Sequence, residues 1–345
     1  MAKKTVKCEA WLTYILNEVL PKTKQSATDK ILLTNRSINL IDGSCVKQEG
    51  VKGEVIRIHM NYSLSNRRMD ETIVTDNHTA ESFKLFNIIP GNIYIADAGY
   101  GKGKNFEYIT SHQGDAILRI TPDNVSFAKD PSGKEKIDMS AELNISKDIF
   151  ELHCHIHTEN KRYIPVRVIA SRLPEDKIAE TIKRKKRKAQ QNRTAIKETT
   201  LIYAQWTIII TSLDDNNSAS DILKLYRTRW QVELLFKRIK QFFNITRVKA
   251  ATVQHSKVLI LIWLIAWALI EREVVAAETC LTQNHIDMSL YSYWSMSGYF
   301  FHNFKMLINC LLSLCLDDID IINVYKHLRN HKTKRINKFA AACFP

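Results

Sequence analysis

A segment in the second half of the chain places one carboxylate among cations at helical spacing. Tyr226, Arg229, Glu233 and Lys240 in LYRTRWQVELLFKRIKQFF are separated by three, four and seven residues. At about 3.6 residues per turn, this spacing predicts that all four share one face of a helix. An adjacent apolar stripe would be buried in a core: Leu225, Val232, Phe236, Ile239 and Phe243. The charged face would then line a cleft, although an ordinary surface helix with i,i+4 ion pairs fits the same spacing.

Two aspartates upstream follow apolar runs that are typical of buried strands. Asp42 ends the run SINLID and precedes Gly43, and Asp97 ends the run NIYIAD and leads into AGYGKG. A residue at the end of a central strand emerges at the edge of a sheet, where its side chain is accessible. Both aspartates are therefore candidates for a site at such an edge.

The spacing Y-x2-R-x3-E-x6-K resembles the signature of the IS4-type DDE transposases of insertion sequences. The motif R-W-x-x-E-x-x-F-K around Glu233 resembles the same family. The aspartate contexts are similar to those of the family, in which the second commonly reads A-D-x-G-Y. Many relatives carry Arg at the variable position, which is Ala98 here. The resemblance implies a ribonuclease-H-like α/β fold, with a mixed sheet flanked by helices and interrupted by a β-rich insertion. It also implies that Asp42, Asp97 and Glu233 are the catalytic residues of an enzyme that cleaves DNA and transfers the cut strand.

The implied chemistry accounts for the residue types. Phosphodiester cleavage needs an activated nucleophile and a stabilised leaving oxygen, and two metal ions serve both needs. Mg²⁺ prefers hard oxygen ligands, so Asp42, Asp97 and Glu233 are expected to bind two Mg²⁺ or Mn²⁺ ions without an organic cofactor. The residues expected to contact DNA phosphates are Tyr226, Arg229, Lys237 and Lys240.

The overall charge agrees with a polyanionic partner. The 345-residue chain has 50 Lys and Arg against 36 Asp and Glu, a formal net charge of +14. A membrane surface would also attract such a chain, but the cations lie throughout the sequence and flank the predicted helix, which favours nucleic acid. We expect double-stranded DNA, at the element ends and the target, as partner. We also expect a homodimer in a synaptic complex.

The location is predicted from the apolar runs and the cysteines. The longest apolar run, Val258 to Ile270, is shorter than the roughly 18 residues of a membrane span and is interpreted as a buried helix. The seven cysteines are odd in number and contain no C-x-x-C pair, which is typical of a reducing compartment. We therefore expect a protein of the bacterial cytoplasm, associated with the nucleoid and not with a membrane.

The order of the elements predicts a split catalytic domain. Residues 1–34 are interpreted as a short helical segment, the remnant of an end-binding domain. The first part of the catalytic domain spans 35–121, with three strands, a short helix near 80–87, the Asp97 strand, a helix near 104–112 and a strand at 115–120. A β-rich insertion spans 122–213. The second part, 214–345, begins with the Glu233 helix, for which Ser218 and Asp221 form an N-cap signature, and ends in further helices.

Three other motifs have weaker interpretations. The basic run Lys183 to Lys188 ends a predicted helix and is interpreted as a DNA backbone contact, although a solvated face or a nuclear-localisation signal fits the run alone. His153, His155 and His157 would share one strand face and could ligate a metal, but ordinary strand histidines are the preferred interpretation. The glycine-rich segment after Asp97 lacks the P-loop spacing and is interpreted as a flexible loop at the metal site.

An alternative function stays open at this stage. The chain could be an inactive or domesticated DNA-binding remnant of an insertion sequence, because relatives usually carry a larger N-terminal domain than the roughly 35 residues that precede the Asp42 strand. The intact acidic triad favours the enzyme. A host nuclease on the same fold is disfavoured by the signature around Glu233.

Overall fold

The computed structural model describes residues 2–20, 36–51, 53–146, 148–159, 162–243, 245, 247–286, 288 and 290–302. Its helices are α1 (Ala2–Val19), α2 (Gly103–Ser111), α3 (Met139–Ile145), α4 (Glu175–Gln191), α5 (Glu198–Tyr203), α6 (Ala219–Arg227), α7 (Trp230–Phe242), α8 (Val253–Gln283) and α9 (Leu290–His302). Its strands are β1 (Ile38–Gln48), β2 (Glu54–Ser63), β3 (Arg68–Asp76), β4 (Ile93–Ala96), β5 (Asp115–Arg119), β6 (Phe127–Ala128), β7 (Lys136–Ile137), β8 (Ile149–His157), β9 (Tyr163–Arg172), β10 (Trp206–Thr211) and β11 (Arg247–Val248).

The described strands form one mixed sheet in the order β3-β2-β1-β4-β5-β10-β9-β8-β6-β7, and β11 pairs with β1. Strands β3, β2 and β1 are antiparallel neighbours, whereas β4 and β5 run parallel to β1. Three antiparallel strands followed by two parallel ones, with helices on both faces, form a ribonuclease-H-like fold. The fold class predicted from the sequence is therefore confirmed.

Alternating residues of the central strands belong to two separate cores. Ile93 and Ile95 of β4 pack on one face with residues of α1, α7 and α8, whereas Tyr94 and Ala96 pack on the other face with residues of α2 and α3. Successive side chains of a strand point to opposite faces, so a continuous apolar run indicates a strand that is covered on both sides. Only the strand ends of such a sheet are open to a ligand.

Helix α8 is the apolar helix expected around residues 258–270. It contacts α1, α9, β2 and β3, and its Ile260, Leu264 and Trp267 are buried. Within the described part of the chain, no helix combines the length and the apolar character needed to cross a bilayer.

The predicted helix around Glu233 is divided into α6 and α7. Ser218 caps α6 as predicted, since its side chain accepts a hydrogen bond from the amide of Asp221. The division occurs at Thr228, whose hydroxyl donates to the carbonyl of Leu225 at 2.7 Å. The amides of Thr228 and Arg229 bond three residues back, which tightens the turn locally. Likewise, the helix expected near 80–87 is a single 3₁₀ turn at Phe83–Leu85.

The strands of segment 122–213 continue the central sheet. Strand β10 pairs antiparallel with β5, where Ile210 lies opposite Leu118, and β9, β8, β6 and β7 follow outward. The division of the chain at 122 and 213 stays a prediction. Parts of the predicted domains, namely residues 21–34 and the helices expected beyond residue 302, lie outside the described residues.

Candidate metal and nucleic-acid site

The register of two parallel strands places the two aspartates side by side. Ile41 of β1 lies opposite Ala96 of β4, so Asp42 and Asp97 are the residues that follow a matched pair. Each carboxylate accepts a hydrogen bond from the next amide: Asp42 Oδ1 from Gly43 at 2.8 Å and Asp97 Oδ1 from Ala98 at 2.7 Å. These bonds orient both carboxylates. Strand β1 continues to Gln48, so Asp42 lies within its strand and not at its end as the sequence predicted, whereas Asp97 directly follows the last residue of β4.

Glu233 lies in the first turn of α7. Its Oε1 accepts a hydrogen bond from Arg229 Nη1 at 2.6 Å. Asp42 and Glu233 line a common cleft of about 560 Å³ whose other lining residues are Ser44, Phe236, Lys237, Lys240 and Gln241. The cleft is therefore lined by Asp42 of β1 and Glu233 of α7, while Asp97 lies one residue beyond β4, beside Asp42. Their role as metal ligands stays a prediction.

The environment of Asp42 favours its protonated form. Burial, together with the nearby Glu233 and Asp97 carboxylates, raises the pKa of Asp42 to about 7, although the Gly43 amide and Arg229 act in the opposite direction. A buried carboxyl group that faces two other carboxylates is stabilised by a cation. An all-oxygen donor set with this excess of negative charge fits a hard divalent ion.

Arg119, at the end of β5, is a site residue that the sequence analysis missed. Its Nε lies 2.7 Å from Asp97 Oδ1. The neighbouring strand β5 thus supplies a cation beside Asp97. The available signal was the arginine that ends the apolar strand DAILR directly after the Asp97 strand. It becomes informative once β4 and β5 are known to be parallel neighbours.

Tyr226 and Arg229 connect Asp97 to Glu233. The hydroxyl of Tyr226 donates to Asp97 Oδ1 at 3.4 Å, and burial raises the pKa of Tyr226 to about 12. Burial alone would lower the pKa of the Arg229 guanidinium, but Tyr226, Asp97 and Glu233 outweigh it and raise that pKa above its usual value. Arg229 therefore stays a permanent cation within the acidic cluster.

The two predicted lysines have different environments. Lys237 is exposed at the rim of the cleft. Lys240 is partly buried, and its Nζ donates to the backbone carbonyl of Cys45 on β1 at 3.0 Å. Lys237 is thus open to a phosphate, whereas Lys240 also attaches α7 to the strand that carries Asp42.

The glycines after Asp97 allow close packing. The segment is a tightly packed turn and not the flexible loop that the sequence suggested. A Cβ at Gly101 would lie 1.8 Å from the carbonyl oxygen of Arg119, and one at Gly103 would lie 2.0 Å from that of His157. A Cβ at Gly99 would lie 1.7 Å from Oε2 of Glu81. Gly101 and Gly103 let the turn lie directly on neighbouring backbone, and Gly99 leaves room for the Glu81 side chain, which fixes Asp97 against the sheet.

A second cluster of ligand types lies on the exposed surface and does not include the predicted acidic residues. Among the described residues, three ligand atoms lie within 4.8 Å of one another only at Glu151, His153 and Asp215, all exposed. Arg167 Nε lies 2.7 Å from Glu151 and 3.5 Å from Asp215, so the two carboxylates share one guanidinium. His155 and His157 take no part, which agrees with ordinary strand histidines.

The acidic residues Asp42, Asp97 and Glu233 do not form such a close group among the described residues. Arg119 and Arg229 each hold one of these carboxylates. These arginines compensate part of the negative charge of the three carboxylates, and a divalent ion held by Asp42, Asp97 and Glu233 would supply further positive charge.

The fold and the site place the chain in the ribonuclease-H-like class. A model of the family described as Transposase DDE domain matches residues 35–269, and the chain belongs to this family. The resemblance to DDE transposases of insertion sequences is thus confirmed. Membership of this family implies dependence on a divalent metal ion.

The individual relatives share about a quarter of the aligned residues with this chain. The chain is 25% identical over 251 residues to the putative transposase InsL of insertion sequence IS186A from Escherichia coli strain K12 and to the transposase of IS421 from Escherichia coli. The match covers 69% of this chain and 66% of each relative, so the chain spans just under two thirds of their length. A weaker structural likeness is to a piggyBac transposase synaptic complex with hairpin DNA, with a TM-score of 0.44 and 8% identity over 84% of this chain and 57% of that one.

Proposed function

We propose that this chain catalyses metal-dependent cleavage and strand transfer of DNA in the cut-and-paste transposition of an insertion sequence. The observation that carries the proposal is the placement of Asp42 and Asp97, each one residue beyond the paired Ile41 and Ala96, with Asp42 and Glu233 lining one cleft. Family membership supports the same reaction. Asp42, Asp97 and Glu233 would hold two Mg²⁺ or Mn²⁺ ions, which supply activation of the nucleophile and stabilisation of the leaving oxygen.

The surrounding cations would bind and orient the scissile phosphate. Arg229 lies between Tyr226 and Glu233 at 12% side-chain exposure, where a guanidinium offers a planar pair of donors to phosphate oxygens. Arg119 would approach the same phosphate from the Asp97 side, and Lys237 and Lys240 would hold the adjoining backbone. Burial of the apolar stripe of α7 in the core keeps these donors in place without further ordering.

The partners follow from this reaction. We infer that the substrates are double-stranded DNA at the element ends and at the target, and that two copies of the chain act together in a synaptic complex. Work on chromosomal DNA would place the protein in the bacterial cytoplasm, at the nucleoid. The net charge of +14 supports a polyanionic partner.

Glu233→Gln tests the proposal because it keeps the side-chain shape and removes the charge. The substrate is a duplex made from the genomic DNA that flanks the reading frame, with Mg²⁺ or Mn²⁺, and the chain is assayed as given and extended by any upstream in-frame coding sequence. We expect the variant to bind this DNA and to lose cleavage and strand transfer. Glu135→Gln, an exposed glutamate on the β6–β7 hairpin, is the matched control and should cleave normally.

Two results would overturn the proposal. Equal cleavage by the Glu233→Gln variant would remove Glu233 from the catalytic residues. Absence of cleavage at both lengths with either metal, while DNA is still bound, would establish the inactive or domesticated remnant as the better description.

A further inference from the structure

Helix α4 separates its charges along its length. Its acidic residues, Glu175, Asp176 and Glu180, all lie in the N-terminal part, and six consecutive cations occupy positions 183–188. The ion pairs of the helix are also confined to that part: Arg172 with Glu175 at 3.3 Å and Lys177 with Glu180 at 3.0 Å. Across the described residues, no side chain of positions 183–188 takes part in an ion pair or a hydrogen bond.

The cations are displayed on a fixed helix. Ile178 is buried, and Ile182, Lys185 and Ala189 are partly buried at helical spacing, so one side of α4 packs against the protein. The other cations of the run point to solvent: Lys183, Arg184, Lys186, Arg187 and Lys188. These five residues are named the α4 cationic surface. Five uncompensated charges on one short helix segment repel one another, and a polyanion relieves that repulsion.

The α4 cationic surface begins close to the candidate site. Lys185 and Lys188 line a cleft together with Asp123 and Asn124 of the 3₁₀ turn that follows β5. Asp123 is four residues beyond Arg119, and four residues span at most about 14 Å. One helical turn of duplex DNA is about 34 Å long. A duplex whose phosphate lies at Arg119 therefore extends far enough to reach α4.

The side chains that α4 exposes indicate which kind of partner it binds. An amphipathic helix that lies on a membrane inserts large apolar side chains into the lipid. None of the exposed large hydrophobic residues in the described part of the chain lies on α4. A surface with many cations and no exposed apolar anchor fits the sugar-phosphate backbone of nucleic acid.

We propose that the α4 cationic surface binds the phosphate backbone of the duplex that flanks the cleavage point, as a contact separate from the acidic site. This inference rests on the proposed function for the identity of the DNA. The contact is independent of base sequence, and it adds affinity and registers the duplex relative to Asp97 and Glu233.

The salt dependence of binding to a duplex of about 40 base pairs tests this contact. Lys183→Gln with Lys186→Gln removes two outward charges without touching the packed side of α4. We expect the slope of log affinity against log salt to fall by about two units, since each phosphate contact contributes about 0.9. Between about 50 and 200 mM salt, the double variant should lose about tenfold less affinity than the unaltered chain.

A charge-matched control separates a local contact from the effect of net charge. Lys129→Gln with Lys134→Gln removes the same charge from the exposed β6–β7 hairpin, and its slope should stay close to that of the unaltered chain. An unchanged slope in the α4 variant, or an equal fall in both variants, would overturn the proposal. Binding of anionic phospholipid vesicles with an affinity similar to that for the duplex would overturn it in favour of a membrane surface.

Failure of this inference can be told apart from failure of the proposed function. At low salt and saturating protein, the α4 double variant should still cleave DNA, whereas Glu233→Gln should bind and not cleave. Loss of cleavage by the α4 variant under saturation would show that α4 acts in the chemical step and not in binding. Equal thermal unfolding temperatures for all variants would establish that the fold is intact.

Discussion

Arg119 Nε lies 2.7 Å from Oδ1 of Asp97, so the strand beside the second aspartate supplies its cation. Charge-assisted hydrogen bonds of this kind are shorter and stronger than neutral ones. The pair joins residues 97 and 119 across parallel strands. It fixes the orientation of the Asp97 carboxylate and leaves the rest of the guanidinium available to a phosphate.

Arg119→Ala should lower the rate of DNA cleavage at saturating DNA by roughly 10- to 100-fold, because loss of a charged hydrogen bond costs about 1.5–3 kcal/mol. Arg119→Lys keeps the charge without the planar fork, so its cleavage rate should lie between those of the unaltered chain and the Arg119→Ala variant. The measurement is single-turnover cleavage with Mg²⁺. Arg172→Ala, on the exposed pair with Glu175, is the control, and a full rate for Arg119→Ala would contradict the role given to Arg119.

The two lysines of the cleft should separate into a binding and a structural role. Lys237→Gln should reduce the salt slope of DNA binding by about one unit and leave thermal stability unchanged. Lys240→Gln should also destabilise the fold by about 1 kcal/mol, since Lys240 donates to the Cys45 carbonyl. Salt titrations and thermal unfolding of both variants check this. Identical unfolding curves for the two would contradict the distinction.

Metal affinity should depend on pH through Asp42. Its pKa in the metal-free protein is about 7, and a carboxyl group must lose its proton to bind a metal. Affinity for Mn²⁺ should therefore rise by about tenfold per pH unit up to about pH 7 and level off above it. Calorimetric titration between about pH 5.5 and 8.5 measures this. Asp42→Asn should bind weakly at every pH, and a pH-independent affinity of the unaltered chain would refute the assignment of Asp42.

The glycines after Asp97 should respond differently to the same substitution. Gly99→Ala meets the end of the Glu81 side chain, whereas Gly101→Ala meets the backbone oxygen of Arg119. Both should destabilise the protein by about 1–3 kcal/mol. Adding Glu81→Ala should restore stability to the Gly99 variant and not to the Gly101 variant. Denaturant unfolding of the single and double variants measures these stabilities. If Glu81→Ala restored the stability of both glycine variants, or of neither, the packing described here would be contradicted.

Stability should fall with rising pH because of Glu271. Burial raises the pKa of this carboxyl to about 8, and the Met69 amide donates to its Oε2 at 2.9 Å. Between the usual carboxyl pKa of about 4.5 and about 8, the unfolded chain releases the proton while the folded protein keeps it, so stability declines over this window. The total loss is on the order of 5 kcal/mol. Glu271→Gln should unfold with a weaker pH dependence, and identical profiles would contradict this explanation.

The sequence predicted the strand-borne aspartates and the facing helix because local patterns carry them. An apolar run marks a buried strand, and the spacing from Tyr226 to Lys240 marks a helix face. The end of the first run did not mark the end of its strand, because β1 continues through Asp42 and Gly43 to Gln48 in pairing with β2. The break at Thr228 was not foreseen, since it depends on one hydroxyl bonding to a nearby carbonyl. The backbone at Thr228 and Arg229 stays in the right-handed helical region, so the predicted face survives the break.

Other features of the site depend on contacts between distant segments. Arg119 is informative only when the register of β4 and β5 is known. The glycines after Asp97 suggested flexibility because a sequence does not record which backbone lies against them. The division of work between Lys237 and Lys240 likewise depends on how α7 packs on β1. Tertiary packing decided each of these points.

The amide of Ile120 donates to the carbonyl of Ile208 at 3.0 Å, so the chain returns in β10 directly beside the end of β5. The segment between these two residues, which includes α4 and the outer strands of the sheet, therefore begins and ends at one place. A change in the length or content of this segment would therefore leave the pairing of β1, β4 and β5 in place. The fold thereby separates the segment that carries α4 from the strands that position Asp42 and Asp97.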